Sequence, residues 1–94
     1  MTRPSRLSEA EVQQRLVSLP LWTRRGDTIT RTFTFAGFPD AVAFVHKLVA
    51  PSEAMGHHPD VDLRYNRVII SLSTHDQHGL TGFDLELAAQ IDAL

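Results

Sequence analysis

Apolar residues recur along this chain with two periods, and each change of period marks a boundary between elements. Val12, Leu16 and Leu19 share helical spacing, and Pro20 ends that helix. Ser8 and Glu11 form a capping box in front of it, with Leu7 and Val12 at the staple positions. From Leu21 the pattern predicts a hairpin turning at Arg25-Gly26-Asp27. Its outgoing strand puts Ile29, Phe33 and Phe35 on one side and Thr28, Thr30, Thr32 and Thr34 on the other, with Arg31 breaking the apolar side. Pro39 suits the first turn of a second helix with Ala41, Phe44, Val45, Leu48 and Val49 as its buried stripe. Pro51 predicts a kink or break near Lys47–Ala50, followed by a last turn through Glu53 and a stop at Gly56. Period two returns at Val61, Leu63 and Tyr65 and, after a turn near Asn66, at Val68, Ile70 and Leu72. A second capping box, Thr81 with Asp84, stapled by Leu80 and Leu85, opens a final helix with Phe83, Leu87, Ile91 and Leu94 inward.

The order α-β-β-α-β-β-α predicts an α+β fold, a four-stranded antiparallel sheet with helices packed on one face. Neither linker nor repeat interrupts the pattern, so residues 1–94 read as a single domain, with 1–7 as a flexible lead-in. A chain this short builds a limited core, which favours self-association. The β-rich run from Val68 to Thr74 would be hazardous as an open edge, so another copy is expected to cover that edge or the helical face.

Composition narrows the chemistry. The absence of cysteine removes disulfides, thiolate metal sites and a cysteine nucleophile. No run approaches the roughly 20 apolar residues of a membrane span, and Met1 to Leu7 holds no signal-like apolar stretch. A cytoplasmic protein without a membrane partner is expected. Residues 1–47 carry seven basic and four acidic groups, and residues 48–94 carry two and seven. Neither half is a basic patch of the kind nucleic acid requires.

Three of the five histidines and two carboxylates fall in two short clusters: Glu53, His57, His58 and Pro59, then Thr74-His75-Asp76. Imidazole is the side chain that exchanges protons near neutrality, with an unperturbed pKa of about 6.5. Pro59 pushes His58 out of helical space, so the pair sits at a helix exit. Past Leu72, the alternation carries Ser73 and His75 away from the helical face or off the strand end. Taken singly, His75 reads as structural or merely exposed, Glu53 as solvent-facing, and Asp84 as a capping residue. A metal is the chemical rival, since His75 and His78 with His57 or His58 could supply three imidazoles.

The run Glu53-Ala-Met-Gly-His57-His58-Pro59-Asp60, then Tyr65-Asn66-x-Val68, Leu72-Ser-Thr74-His75 and Gly79-Leu80-Thr81-x-x-Asp84 resembles the pterin-4a-carbinolamine dehydratase family. Leu19-Pro20-Leu21-Trp22 and Phe38-x-x-Ala41-x-x-Phe44-Val45 are similar to that family too. The resemblance implies dehydration of a 4a-hydroxytetrahydropterin, the by-product of aromatic amino-acid hydroxylation, to the quinonoid dihydropterin, in support of tetrahydrobiopterin recycling. It implies His57, His58 and His75 as catalytic residues, Glu53 and Asp84 as supporting carboxylates, and substrate contacts from Gly56, His57, His58, Ser73, Thr74, His75 and Asp76. It further implies no metal or other cofactor, a homodimer or homotetramer, and a functional link to an aromatic amino-acid hydroxylase. A non-catalytic role as a dimerisation or assembly factor on the same fold is the alternative. Phe83 departs from the pattern, standing where many members carry a polar residue.

Overall fold

The computed structural model describes residues 5–94, in the order α1 (Glu9–Leu16), β1 (Thr23–Arg25), β2 (Thr28–Thr34), α2 (Phe38–Lys47), α3 (Val49–Met55), β3 (Asp60–Arg64), β4 (Arg67–Leu72), a 3₁₀ turn (His75–Gln77) and α4 (Gly82–Asp92). The strands form one antiparallel sheet in the order β1-β2-β4-β3. The α+β architecture is the one the periodicities predict. β4 is an interior strand, however, paired on both sides, so the Val68–Thr74 run is not the exposed edge anticipated from its composition. Of the lead-in, residues 1–4 lie outside the described residues. Leu7 is held in place, its N–H donating to Leu80 O at 2.8 Å, and Arg6 bridges to Thr81.

Register follows from burial. Val68, Ile70 and Leu72 are sealed under the helices, and their partners Phe33, Arg31 and Ile29 share that face. A slip of one residue would turn all three β4 side chains to solvent, at a cost on the order of 5–9 kcal/mol. Arg31 is tolerated there because its guanidinium lies 4.1 Å from the Phe33 ring centroid and 2.6 Å from Asp92 Oδ1 on α4. Asp92 also accepts from the Trp22 indole N–H at 2.9 Å, fixing the buried tryptophan. Leu80, Leu85, Leu87, Ala88 and Ile91 bring α4 into the same core.

The capping signals hold in detail. Ser8 and Glu11 exchange hydrogen bonds at 3.0 and 3.2 Å, and those contacts hold the Glu11 carboxyl below its ordinary pKa. The Arg24 guanidinium does the same for Glu9. α1 ends at Leu16 rather than at Pro20. The chain then tightens through 3₁₀-type bonds, with Leu19 N–H donating to Leu16 O at 2.9 Å, which still buries Leu19.

The second helix breaks where Pro51 predicts. Leu48 is both the end of α2 and the start of α3, so Pro51 falls in the first turn of α3, where its missing N–H has no intrahelical acceptor to lose. The break has a consequence for the stripe: Ala41, Phe44 and Leu48 are buried, but Val49 is 54% exposed. Three further apolar positions emerge from the core. Tyr65 sits in the β3–β4 turn with φ 51° instead of continuing the strand, Val61 lies on the edge strand, and Leu94 follows the end of α4.

Candidate active site

Two chain segments converge beside α4. α3 closes on Gly56, whose left-handed backbone (φ 61°) lets His57 N–H reach Ser52 O at 3.1 Å and Gly56 N–H reach Glu53 O at 3.2 Å. That turn releases His57 and His58 at the helix exit, with Pro59 leading into β3. On the other side, β4 runs out into Ser73 and Thr74. A bridge between Thr74 and Gly79 then closes a short loop carrying His75 and Asp76 on one 3₁₀ turn.

His57, His58, Ser73, Thr74, His75 and Asp76 line a single open cleft of about 460 Å³. Small-molecule sites commonly fall at roughly 300–1,000 Å³. The fold thus brings the three histidines singled out in the sequence to one cavity. Gly56 is absent from that lining and contributes the turn instead. Glu53 faces a neighbouring apolar groove of about 220 Å³, which His58 also lines.

The imidazoles have different surroundings. His57 is buried, its Nε2 lying 2.6 Å from Oδ1 of the fully buried Asp84, and the Phe83 ring meets it edge-on with centroids 5.8 Å apart. His58 is exposed, its Nε2 held 2.5 Å from Glu53 Oε2. His75 is exposed as well, with Nε2 3.5 Å from the Ser73 hydroxyl. His78 is exposed and caps the 3₁₀ turn in a left-handed conformation, φ 56°, and is not part of the cleft lining. Among the described residues, no group of three or more His, Asp or Glu side chains is placed to hold a metal ion.

Asp84 does two jobs. As the third residue of α4 it accepts from the Thr81 N–H at 2.9 Å, and with its other oxygen it engages His57. Thr74 also donates to Asp84, at 2.7 Å, so its hydroxyl is turned into the protein and away from any ligand in the cleft. Thr74 still lines the cleft, with its hydroxyl committed to that carboxylate. Thr81, read from the sequence as a helix cap alone, belongs to the same buried cluster through a 2.9 Å contact with Thr74. Its signal was its place three residues before Asp84.

The family model described as "Pterin 4 alpha carbinolamine dehydratase" matches residues 5–94. The chain belongs to that family. A relative from Roseiflexus castenholzii named "Putative pterin-4-alpha-carbinolamine dehydratase" is 52% identical over 88 residues, covering 94% of this chain and 95% of its own. One of the same name from Chloroflexus aurantiacus is 52% identical over 89 residues, covering 95% and 96%. The crystal structure of a "transcriptional coactivator/pterin dehydratase" from Brucella melitensis superposes with a TM-score of 0.89 at 34% identity, over 95% of this chain and 97% of that one. A pterin dehydratase-like protein described as a RuBisCO assembly factor in the alpha-carboxysome superposes with a TM-score of 0.62 at 25% identity, over 77% and 83%. The pterin-4a-carbinolamine dehydratase fold is thus shared over nearly the whole chain. No helix among the described residues is long and apolar enough to cross a membrane.

Proposed function

We propose that this protein dehydrates a 4a-hydroxytetrahydropterin to the quinonoid dihydropterin by acid–base catalysis from His57, His58 and His75. The observation that carries this reading is the convergence of all three imidazoles on one cleft of substrate size. In the reaction a base removes the N5 proton, the freed electron pair forms the N5=C4a bond, and the C4a–O bond breaks as an acid protonates the departing hydroxyl to water. No electron is gained or lost overall, so the chemistry asks for two proton-transfer groups of opposite protonation state, each worth typically 10²–10⁴-fold. Histidine supplies both near neutrality.

Glu53 and Asp84 support the imidazoles in unlike ways. Glu53 orients the exposed His58, and Asp84 orients the buried His57. Ser73 and Asp76 face the same cavity and offer polar contacts to the pterin ring. The pathway position follows from the substrate, which arises from aromatic amino-acid hydroxylation, and its dehydration returns the cofactor towards tetrahydrobiopterin. A homodimer or homotetramer belongs to the same proposal, supported by the exposed Phe38, Val42 and Val49 on α2 and α3. The RuBisCO assembly factor on this fold favours a second reading, in which the domain serves as a non-catalytic interaction module. Carbinolamine dehydration by purified protein, compared between wild type and His58→Ala, separates the two: loss of turnover in the variant supports catalysis, and equal rates at the uncatalysed level contradict it.

A further inference from the structure

We propose that Thr74 is a positioning residue for His57: by donating its hydroxyl proton to Asp84 it keeps the carboxylate an acceptor, so that His57 carries its proton on Nε2 and presents Nδ1 as the nitrogen that exchanges protons in the cleft. The kinetic part of this proposal rests on the dehydratase reading. The statement about the imidazole does not.

The proton positions follow from counting donors. The Phe83 N–H points at Thr81 Oγ1 at 3.2 Å, so that oxygen accepts there and its own proton is free to be given elsewhere. Thr81 Oγ1 and Thr74 Oγ1 lie 2.9 Å apart, and Thr74 has one proton, which the carboxylate takes at 2.7 Å. Thr81 is therefore the donor to Thr74, and Thr74 the donor to Asp84 Oδ2. The Thr81 N–H supplies Oδ2 with a second donor at 2.9 Å. All of this lies in the interior, with Thr81 and Asp84 at 0% and Thr74 at 2% exposure, so water does not compete for these groups.

One proton is then left to place, between Asp84 Oδ1 and His57 Nε2, 2.6 Å apart. On Oδ1 it would make Asp84 a neutral acid and force the neutral imidazole to carry its own proton on Nδ1. On Nε2 it leaves Asp84 a carboxylate and Nδ1 bare. Two donors already directed at Oδ2 stabilise negative charge on that group, which favours the second arrangement. The backbone donor is fixed by the start of α4, so the Thr74 hydroxyl is the side-chain contribution that can be removed. Unlike His58 and His75, both exposed, His57 has its ring orientation and its proton set by the buried Asp84 and the Thr74 hydroxyl that donates to it.

The test is ¹⁵N NMR of the His57 side chain in ligand-free protein at a pH where the ring is neutral, with the resonance assigned by comparison with His57→Gln. Wild type is expected to show a protonated Nε2 and a bare Nδ1. Thr74→Val, which keeps the shape and loses the donor, is expected to move signal towards the Nδ1-protonated form, and Thr74→Ser to restore the wild-type pattern. In parallel, kcat is expected to fall about 10- to 100-fold in Thr74→Val, with KM changed less than about threefold, and to recover in Thr74→Ser. A wild-type His57 protonated on Nδ1 overturns the proposal by itself, even if Thr74→Val does not fold. So does a folded Thr74→Val whose His57 pattern matches wild type. If the pattern shifts as expected while no variant, nor wild type, dehydrates the pterin, the dehydratase reading fails and the role of Thr74 in placing the His57 proton stands.

Discussion

His57 and Asp84, 27 positions apart in the chain, meet at 2.6 Å where the exit of α3 touches the first turn of α4. The same carboxylate closes the capping box of α4 and accepts from Thr74, so the His57 imidazole and a helix start depend on one side chain. Asp84→Ala would leave the Thr81 N–H, the Thr74 hydroxyl and the His57 ring without their acceptor in a dry interior. A loss of about 3–5 kcal/mol in folding stability is expected, the range for breaking a buried pair from one side. Urea denaturation measures it, and a loss under about 1 kcal/mol would mean that Asp84 is not holding the two elements together.

The exposed imidazoles behave otherwise. His58→Ala and His75→Ala remove no core contact, so each variant is expected to melt near wild type while turnover falls roughly 10²–10⁴-fold. His78 lies outside the cleft lining, and His78→Ala is expected to leave turnover nearly unchanged. A three-imidazole metal site that includes His78 requires the reverse. Steady-state rates of the three variants decide between these: a crippled His78→Ala beside a normal His58→Ala contradicts acid–base catalysis here.

Much of this arrangement was legible in the sequence. Both capping boxes, the break before Pro51, the Gly56 stop and the two hairpins rest on contacts within a few residues, which spacing records directly. The histidine clusters were legible for the same reason, because a helix exit and a strand end each concentrate polar residues locally. What periodicity did not carry were partners distant in the chain. Nothing near Arg31 announces Asp92, and nothing near Thr74 announces that its hydroxyl serves Asp84. Strand order is equally non-local: the apolar run of β4 reads the same as an edge or as an interior strand, and only pairing with both β2 and β3 makes it interior. Tyr65 prolonged the period-two pattern by one step into a turn, where its left-handed backbone ends the strand.

The apolar positions left outside the core bear on assembly. Phe38, Val42 and Val49 are each between 42% and 54% exposed, along the outer side of α2 and the start of α3. Light scattering at micromolar concentration is expected to give at least twice the mass of the 94-residue chain, and Val42→Asp to lower it. A wild-type monomer would contradict self-association.

Stability in acid should be sensitive to α1. Glu9 and Glu11 both have carboxyl pKa values lowered below the ordinary 4.5, Glu9 chiefly by the Arg24 hydrogen bond and Glu11 chiefly by the Ser8 backbone. A depressed folded-state value gives a stabilisation that is complete above the unfolded pKa and is lost as pH falls through the folded one. Thermal melts are therefore expected to drop as pH falls below the ordinary carboxyl value of 4.5, and less steeply in a Glu9→Gln, Glu11→Gln double variant. Parallel curves for the two proteins would show that these carboxylates contribute nothing to the acid limb.

We propose that His57, His58 and His75 form a proton-transfer site for a pterin carbinolamine. The most direct test of this proposal is the rate at which purified, exhaustively chelated protein converts a 4a-hydroxytetrahydropterin to the quinonoid dihydropterin, followed by absorbance against the spontaneous reaction. We expect strong acceleration without added metal, reduced roughly 10²–10⁴-fold in His58→Ala. A rate equal to the spontaneous one, or activity that disappears on chelation and returns with zinc, would contradict it.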